Sequence, residues 1–264
     1  MKNKKIAFVS GWYLQQGSTY LHPDHRYIFD CLYKTAKRNF LPNQEVDFLF
    51  ITNGDIQLEG VKSINIDYFV PGFWHACLMK LLCLNYIQND YDYIFVSDYD
   101  QIFIKEVQEA ILDTDIVMLE HFYGPSLRDI HVEVTDAVEL NFDTTKETWT
   151  MGNFFGGKGN VMKSLGKQAE QWHQFYKKEN YNNDIHFYSR YPEELFLLKY
   201  VFENNINHKR LPTTMNPDQS SKDEIFLGDF KEQWNIYDGD LFVNVLHNTK
   251  KNIDQLKKII NKFV

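Results

Sequence analysis

The chain is poor in cysteine, in positive charge and in long apolar runs. Its three cysteines, Cys31, Cys77 and Cys83, form no CxxC pair, a usage that disfavours a disulfide framework or a zinc site and suits reduced thiols in a cytoplasmic compartment. Lysine and arginine total 28 against 36 aspartates and glutamates, so at a net charge of −8 the clustered positive potential that nucleic acid requires is missing and no such partner is expected. No apolar run approaches the roughly 18 residues of a membrane-spanning helix. The opening MKNKKIAFVSGWYLQ sets lysines before a short apolar run, as a signal peptide does, but no small-residue cleavage site follows and the segment reads as a first strand. The chain shows no linker and no internal repeat.

What it has instead is apolar and aromatic mass. With 264 residues, 44% hydrophobic and 16% aromatic, it can bury a large core as one domain or two fused lobes. Strand and helix periods alternate through the first half. Residues 5–10 read as a strand, 24–40 as a helix with Ile28, Leu32 and Ala36 at four-residue spacing, and 46–52 as a second strand. A strand over 61–66, a mostly apolar helix over 74–88 and a strand over 91–97 follow. This rhythm predicts an α/β protein with an open sheet, in which ligands bind beyond the carboxyl ends of the strands.

The second half is less regular. Residues 117–120 read as a strand and 121–149 carry no clear period. TMGNFFGGKGN, residues 150–160, brings four glycines into eleven positions, which lets backbone approach a ligand or another strand closely. Helices are expected over 161–176 and 192–202, the first with Val161, Leu165, Ala169, Trp172 and Tyr176 on one face. The last third reads as an elaboration packed on the sheet rather than a separable domain.

Chemistry concentrates in FVSDYDQIF, residues 95–103. In extended backbone Asp98 and Asp100 project to one side and Tyr99 to the other. Two close carboxylates repel unless a cation lies between them or solvent screens both. An acidic turn closing a strand has the same composition.

Three segments in order resemble glycosyltransferase family 6, the family of the blood-group transferases. YIFVSDYDQIF is similar to its metal-binding DxD strand, MGNFFGG (151–157) to its MGAFFGG or LGGFFGG segment, and YPEELFLLKY (191–200) to its WHDESHLNKY. WHACLMK (74–80) and HFYGPS (121–126) are weaker likenesses, and the resemblance fades beyond Tyr200.

The resemblance implies a GT-A glycosyltransferase fold, a Rossmann-like open mixed sheet with helices on both faces. It implies a single catalytic domain over 1–249, with a nucleotide-binding half at 1–103 and an acceptor- and sugar-binding half at 104–249. The implied activity is a retaining transfer of galactose or N-acetylgalactosamine from a UDP-sugar to a galactose-type acceptor, an oligosaccharide or glycolipid of a surface glycan. Asp98 and Asp100 would hold Mn²⁺ or Mg²⁺, with His247 as a further ligand; hard carboxylate oxygens suit such ions. Val9, Ser10, Gly11 and Tyr99 would border the nucleotide, Lys80 would reach the phosphates, and Met151 and Asn153 would tune the donor sugar. Glu194 takes the place of the catalytic glutamate, while His121, Tyr191 and Glu193 fall at acceptor-binding positions. On volume alone Asn153 favours galactose, although its amide also suits an acetamido group.

Departures bear on specificity. Pro192 and Glu193 replace the family's His-Asp, Tyr191 replaces its tryptophan, and Leu81 stands where an arginine is expected. Pro192, Glu193 and Glu194 also make an ordinary helix start, with proline first and acids at the positive dipole end. Two other classes stay open: a catalytically silent carbohydrate-binding protein on the same fold, and a HAD-like phosphatase, whose nucleophilic aspartate would normally follow the first strand. His22 and His25 read as loop histidines. The tail 250–264 holds five lysines against Asp254, with Ile253, Leu256, Ile260 and Phe263 on one helical face. It reads as a basic helix that docks as a lid or contacts an anionic membrane peripherally.

Overall fold

A computed structural model describes residues 3–14, 23–68, 73–99, 101, 103, 106–107, 109–120, 150–179, 192–211, 234–236 and 244–246. Strand β1 (Lys5–Trp12) leads into helix α1 (Pro23–Asn39), strands β2 (Glu45–Thr52) and β3 (Lys62–Asn65), helix α2 (Phe73–Leu82) and strand β4 (Tyr93–Ser97). Strands β5 (Ile116–Glu120) and β6 (Thr150–Lys158), helices α3 (Gly159–Glu179) and α4 (Pro192–Glu203), and strand β7 (His208–Leu211) follow. Strands β8 (Trp234–Ile236) and β9 (Asn244–Leu246) make a separate antiparallel pair.

The seven-stranded sheet runs β3-β2-β1-β4-β6-β5-β7. β1 is parallel to β2 and β4, β2 to β3, and β5 to β7, whereas β6 lies antiparallel to both β4 and β5. The architecture is thus α/β with an open mixed sheet. Alternating side chains give the sheet two apolar faces. Ala7, Val9, Ile94, Val96, Met118 and Phe155 pack with α2, α3 and α4. Ile6, Phe8, Phe95, Val117 and Phe154 pack with α1 on the other side. Each fully buried phenylalanine here contributes about 2–3 kcal/mol by its removal from water. Among the described residues no helix is long and apolar enough to cross a membrane.

Two elements depart from the periodic reading. The helix expected over 74–88 stops at Leu82 and tightens into a 3₁₀ turn at Cys83–Tyr86. The glycine-rich stretch is a whole strand, β6, inserted between β4 and β5. Its glycines make that insertion possible: a Cβ on Gly157 would lie 2.0 Å from the Asp115 carbonyl oxygen, and one on Gly156 2.3 Å from the Phe95 ring.

Opposite Met118 and Leu119, the register in β6 jumps from Phe155 to Met151. Gly152, Asn153 and Phe154 therefore bulge from the β5 side, while the other edge stays on β4 through Ser97 paired with Phe154 and the Asp98 N–H donating to the Asn153 carbonyl at 2.8 Å. Bulges of this kind re-aim side chains beside a site.

Candidate active site

β4 ends at Ser97, so Asp98 and Tyr99 lie just beyond the carboxyl end of an internal strand. The alternation expected of them holds. Asp98 turns toward α2, and Tyr99 turns to the opposite side, where its ring meets Trp12 at 5.0 Å, Phe29 at 4.9 Å and His25 at 5.6 Å between centroids. His25 is accordingly a ring-packed residue of α1 and not the loop histidine that its HxxH spacing implied. The chain then returns inward. Gln101 and Phe103 are fully buried, with Phe103 N–H donating to Thr35 Oγ1 at 3.1 Å and Asn39 Nδ2 to the Phe103 carbonyl at 2.6 Å. Ser97 Oγ donates to Gln101 Oε1 at 3.0 Å, closing the turn from within.

Lys80 is the one Lys, Arg, Asp or Glu side chain in α2, FWHACLMKLL, and it reaches three elements at once. Its Nζ lies 2.8 Å from Asp98 Oδ1 and 2.9 Å from Glu193 Oε1, and donates to the Gly152 carbonyl at 3.0 Å. The pair with Glu193 is ionic contact without hydrogen-bond alignment: both Glu193 oxygens are buried and lack a hydrogen bond. Burial alone would lower the Lys80 pKa, but Asp98 and Glu193 together hold it well above its ordinary value, so the ammonium stays charged.

Glu194, 7% exposed, accepts the Gly152 N–H at Oε1, 2.9 Å away. Burial first, and the neighbouring Glu193 charge second, hold its carboxyl well above the usual carboxylate range, opposed by the Gly152 N–H and by Lys80. A buried glutamate beside the end of a strand with such a shift has the properties of a general acid, a base or a stabiliser of positive charge.

The structure therefore brings together Lys80, Asp98, Glu193, Glu194 and the β6 backbone at Gly152 and Asn153, whereas the Met151 side chain packs in the core on the α1 side of the sheet. Asn153 is 4% exposed, and neither atom of its amide has a hydrogen-bond partner among the described residues. Ser10 Oγ, at the end of β1, is likewise buried and unpartnered. Val9 is a core side chain, so only its backbone could border a ligand. At Gly11 a Cβ would meet Tyr13 Oη at 2.4 Å.

Two placements depart from the expected roles. Glu193 is 1% exposed and spends its charge on Lys80 instead of facing an acceptor. Lys80, expected at the phosphates, lies among protein oxygens of three elements. Asp100, His121, Tyr191 and His247 lie outside the described residues, as does the basic tail. Gly152 was not singled out from the sequence, yet a Cβ there would lie 2.7 Å from Glu193 Cγ and Oε1. A lone lysine in an apolar helix was the available signal for the cluster, because a buried ammonium requires anionic partners.

Of the two aspartates expected to hold a divalent cation, Asp98 alone is described; its side chain is 21% exposed at the end of β4 and its Oδ1 lies on Lys80. Among the described residues no group of three or more His, Cys, Asp and Glu side chains is arranged to hold a metal. Such a seat would need Asp100. No protein-family model matches the chain, and no curated protein matches it.

Proposed function

We propose that the chain is a retaining glycosyltransferase of GT-A fold that moves galactose or N-acetylgalactosamine from a UDP-sugar to a galactose-type acceptor of a surface glycan. One observation carries the reading. The three segments that resemble family 6 lie far apart in sequence, yet their chemical residues meet in one cluster: Asp98 is hydrogen-bonded through its backbone to Asn153, and Gly152 to Glu194. An ammonium drawn into an apolar helix needs anionic partners in any fold; the support for the reading is that both come from segments that resemble one family. The mixed open sheet, with helices on both faces and the cluster beyond the carboxyl end of β4, supports the GT-A assignment.

In this reading Glu194 is the catalytic residue. Its carboxylate lies beside the anomeric carbon and either attacks it or stabilises the oxocarbenium-like transition state. Burial keeps water from competing for that carboxylate and holds it in one orientation through the Gly152 N–H. Asn153 and Met151 border the sugar, and the end of β1, Val9 to Gly11, borders the nucleotide. Asp98 with Asp100 would hold Mn²⁺ or Mg²⁺, which when bound offsets the charge developing on the departing diphosphate.

The test is release of UDP from UDP-galactose and from UDP-N-acetylgalactosamine, with and without an acceptor array and with EDTA as control. UDP release that depends on Mn²⁺ and rises with a galactose-type acceptor supports the reading. Free phosphate from a phosphomonoester points to the phosphatase class, and glycan binding without turnover to a silent lectin-like protein.

A further inference from the structure

We propose that Lys80 is a positioning residue: its ammonium withdraws Glu193 from the reacting atoms and fixes the β6 bulge, so that Glu194 alone of the adjacent pair serves the bound sugar. For turnover this rests on the transferase reading above; the clamp itself does not. A lysine ammonium has three protons to donate. Here three protein oxygens surround it, Asp98 Oδ1 at 2.8 Å, Glu193 Oε1 at 2.9 Å and the Gly152 carbonyl at 3.0 Å. The two carboxylates and the carbonyl hold the ammonium among protein oxygens, with 16% of the Lys80 side chain exposed.

The two glutamates are consecutive on a helix and so project about 100° apart. They cannot serve the same group. Lys80 takes the first, and the Gly152 N–H takes Oε1 of the second. Gly152 is thereby tied at its carbonyl to Lys80 and at its N–H to Glu194, and its missing Cβ is the space that Glu193 fills. Removing the ammonium leaves Glu193 1% exposed and without a cation beside the Glu194 carboxylate. That carboxylate then competes for the bulge and for anything positive that enters, including the developing oxocarbenium centre.

The test uses the full chain in three variants: Lys80→Met, Lys80→Arg and the double Lys80→Met/Glu193→Gln. Each is measured by melting temperature, by UDP affinity in calorimetry, and by UDP-sugar turnover resolved into kcat and KM. Lys80→Met is expected to lower the melting temperature by on the order of 10 °C. Its kcat is expected to fall about 100-fold with KM and UDP affinity nearly kept, as for a misplaced catalytic group. Adding Glu193→Gln recovers at least half of the lost melting temperature and about tenfold in kcat, because the stranded charge has gone. Lys80→Arg keeps the charge and stays within a few degrees of the parent. Loss of UDP affinity at unchanged kcat, or a double variant no better than Lys80→Met, overturns the proposal. Should Lys80→Met not fold, folding of the double variant supports the clamp and its failure to fold defeats it. A parent inactive on both UDP-sugars sinks the transferase reading only, since the melting-temperature comparison still decides the clamp.

Discussion

The Gly152 N–H donates to the Glu194 carboxylate at 2.9 Å across 42 positions of sequence, joining the β6 bulge to the first turn of α4. A side chain at 152 has no room there. Gly152→Ala would place Cβ 2.7 Å from Glu193 Cγ and Oε1, and is expected to cost about 1–3 kcal/mol in denaturant unfolding. The loss in turnover is expected to exceed what that stability change explains, because the bulge must move away from Glu194.

Glu194→Gln separates stability from chemistry. The folded-state pKa of Glu194 lies above the ordinary 4.5, through burial and the Glu193 charge, so folding binds a proton more tightly there than the unfolded chain does. Its stabilising contribution is complete below 4.5 and is lost as pH rises through the raised folded value. Glutamine carries no such penalty. The variant is expected to outlast the parent at about pH 8, with the gap closing toward about pH 4, and to lose turnover by orders of magnitude with UDP affinity kept. A gap that widens on acidification contradicts the sign.

Asn153→Leu is expected to stabilise the chain by about 1–2 kcal/mol, since it replaces two buried amide atoms that lack partners with an apolar side chain of similar size. Its kcat/KM for UDP-sugars should fall in the same protein. An unchanged melting temperature would mean that the amide already has a partner, such as ordered water.

Asp98→Asn removes one of the two anions on Lys80 but leaves Glu193 in place. A loss of about 1 kcal/mol is expected, small because the Asp98 side chain is 21% exposed. Mn²⁺-dependent UDP affinity, read by calorimetry with and without EDTA, should vanish.

The three thiols are expected to resist iodoacetamide in the native state and react on unfolding. Burial pushes Cys31 up to about 11 and Cys83 to about 12, and raises Cys77 further, with Glu193 adding to it. Rapid native labelling of Cys77 would show that α2 opens at Lys80.

Strands and helices with a clean period were legible in the sequence because each buries one face. α1 begins one residue before its expected start, and β4 ends at the expected Ser97. β6 was not legible as a strand, since three glycines erase the alternation that would mark it, and the reason for them is the crowding by its neighbours that only the assembled structure contains. β7, HKRL, carries its charge on a sheet edge and has no apolar run to announce it. At the site, the motifs named Asp98, Glu194, Lys80 and Glu193 but not which of them pair. Lys80 and Asp98 are brought together by the helix packing of α2, and Glu193 differs from Glu194 in neighbours rather than in type.

β4 takes one hydrogen-bonding neighbour from residues 5–12 and the other from residues 150–158. During synthesis, a chain that has emerged only as far as residue 149 can pair YIFVS with β1, yet it has nothing for the opposite edge of a strand whose five residues are all destined for the interior. An open apolar edge of that kind recruits other chains. A fragment ending before Thr150 should therefore precipitate or pair with itself, and co-expression with the separate 150–264 piece should return it to solution by supplying the missing strand in trans.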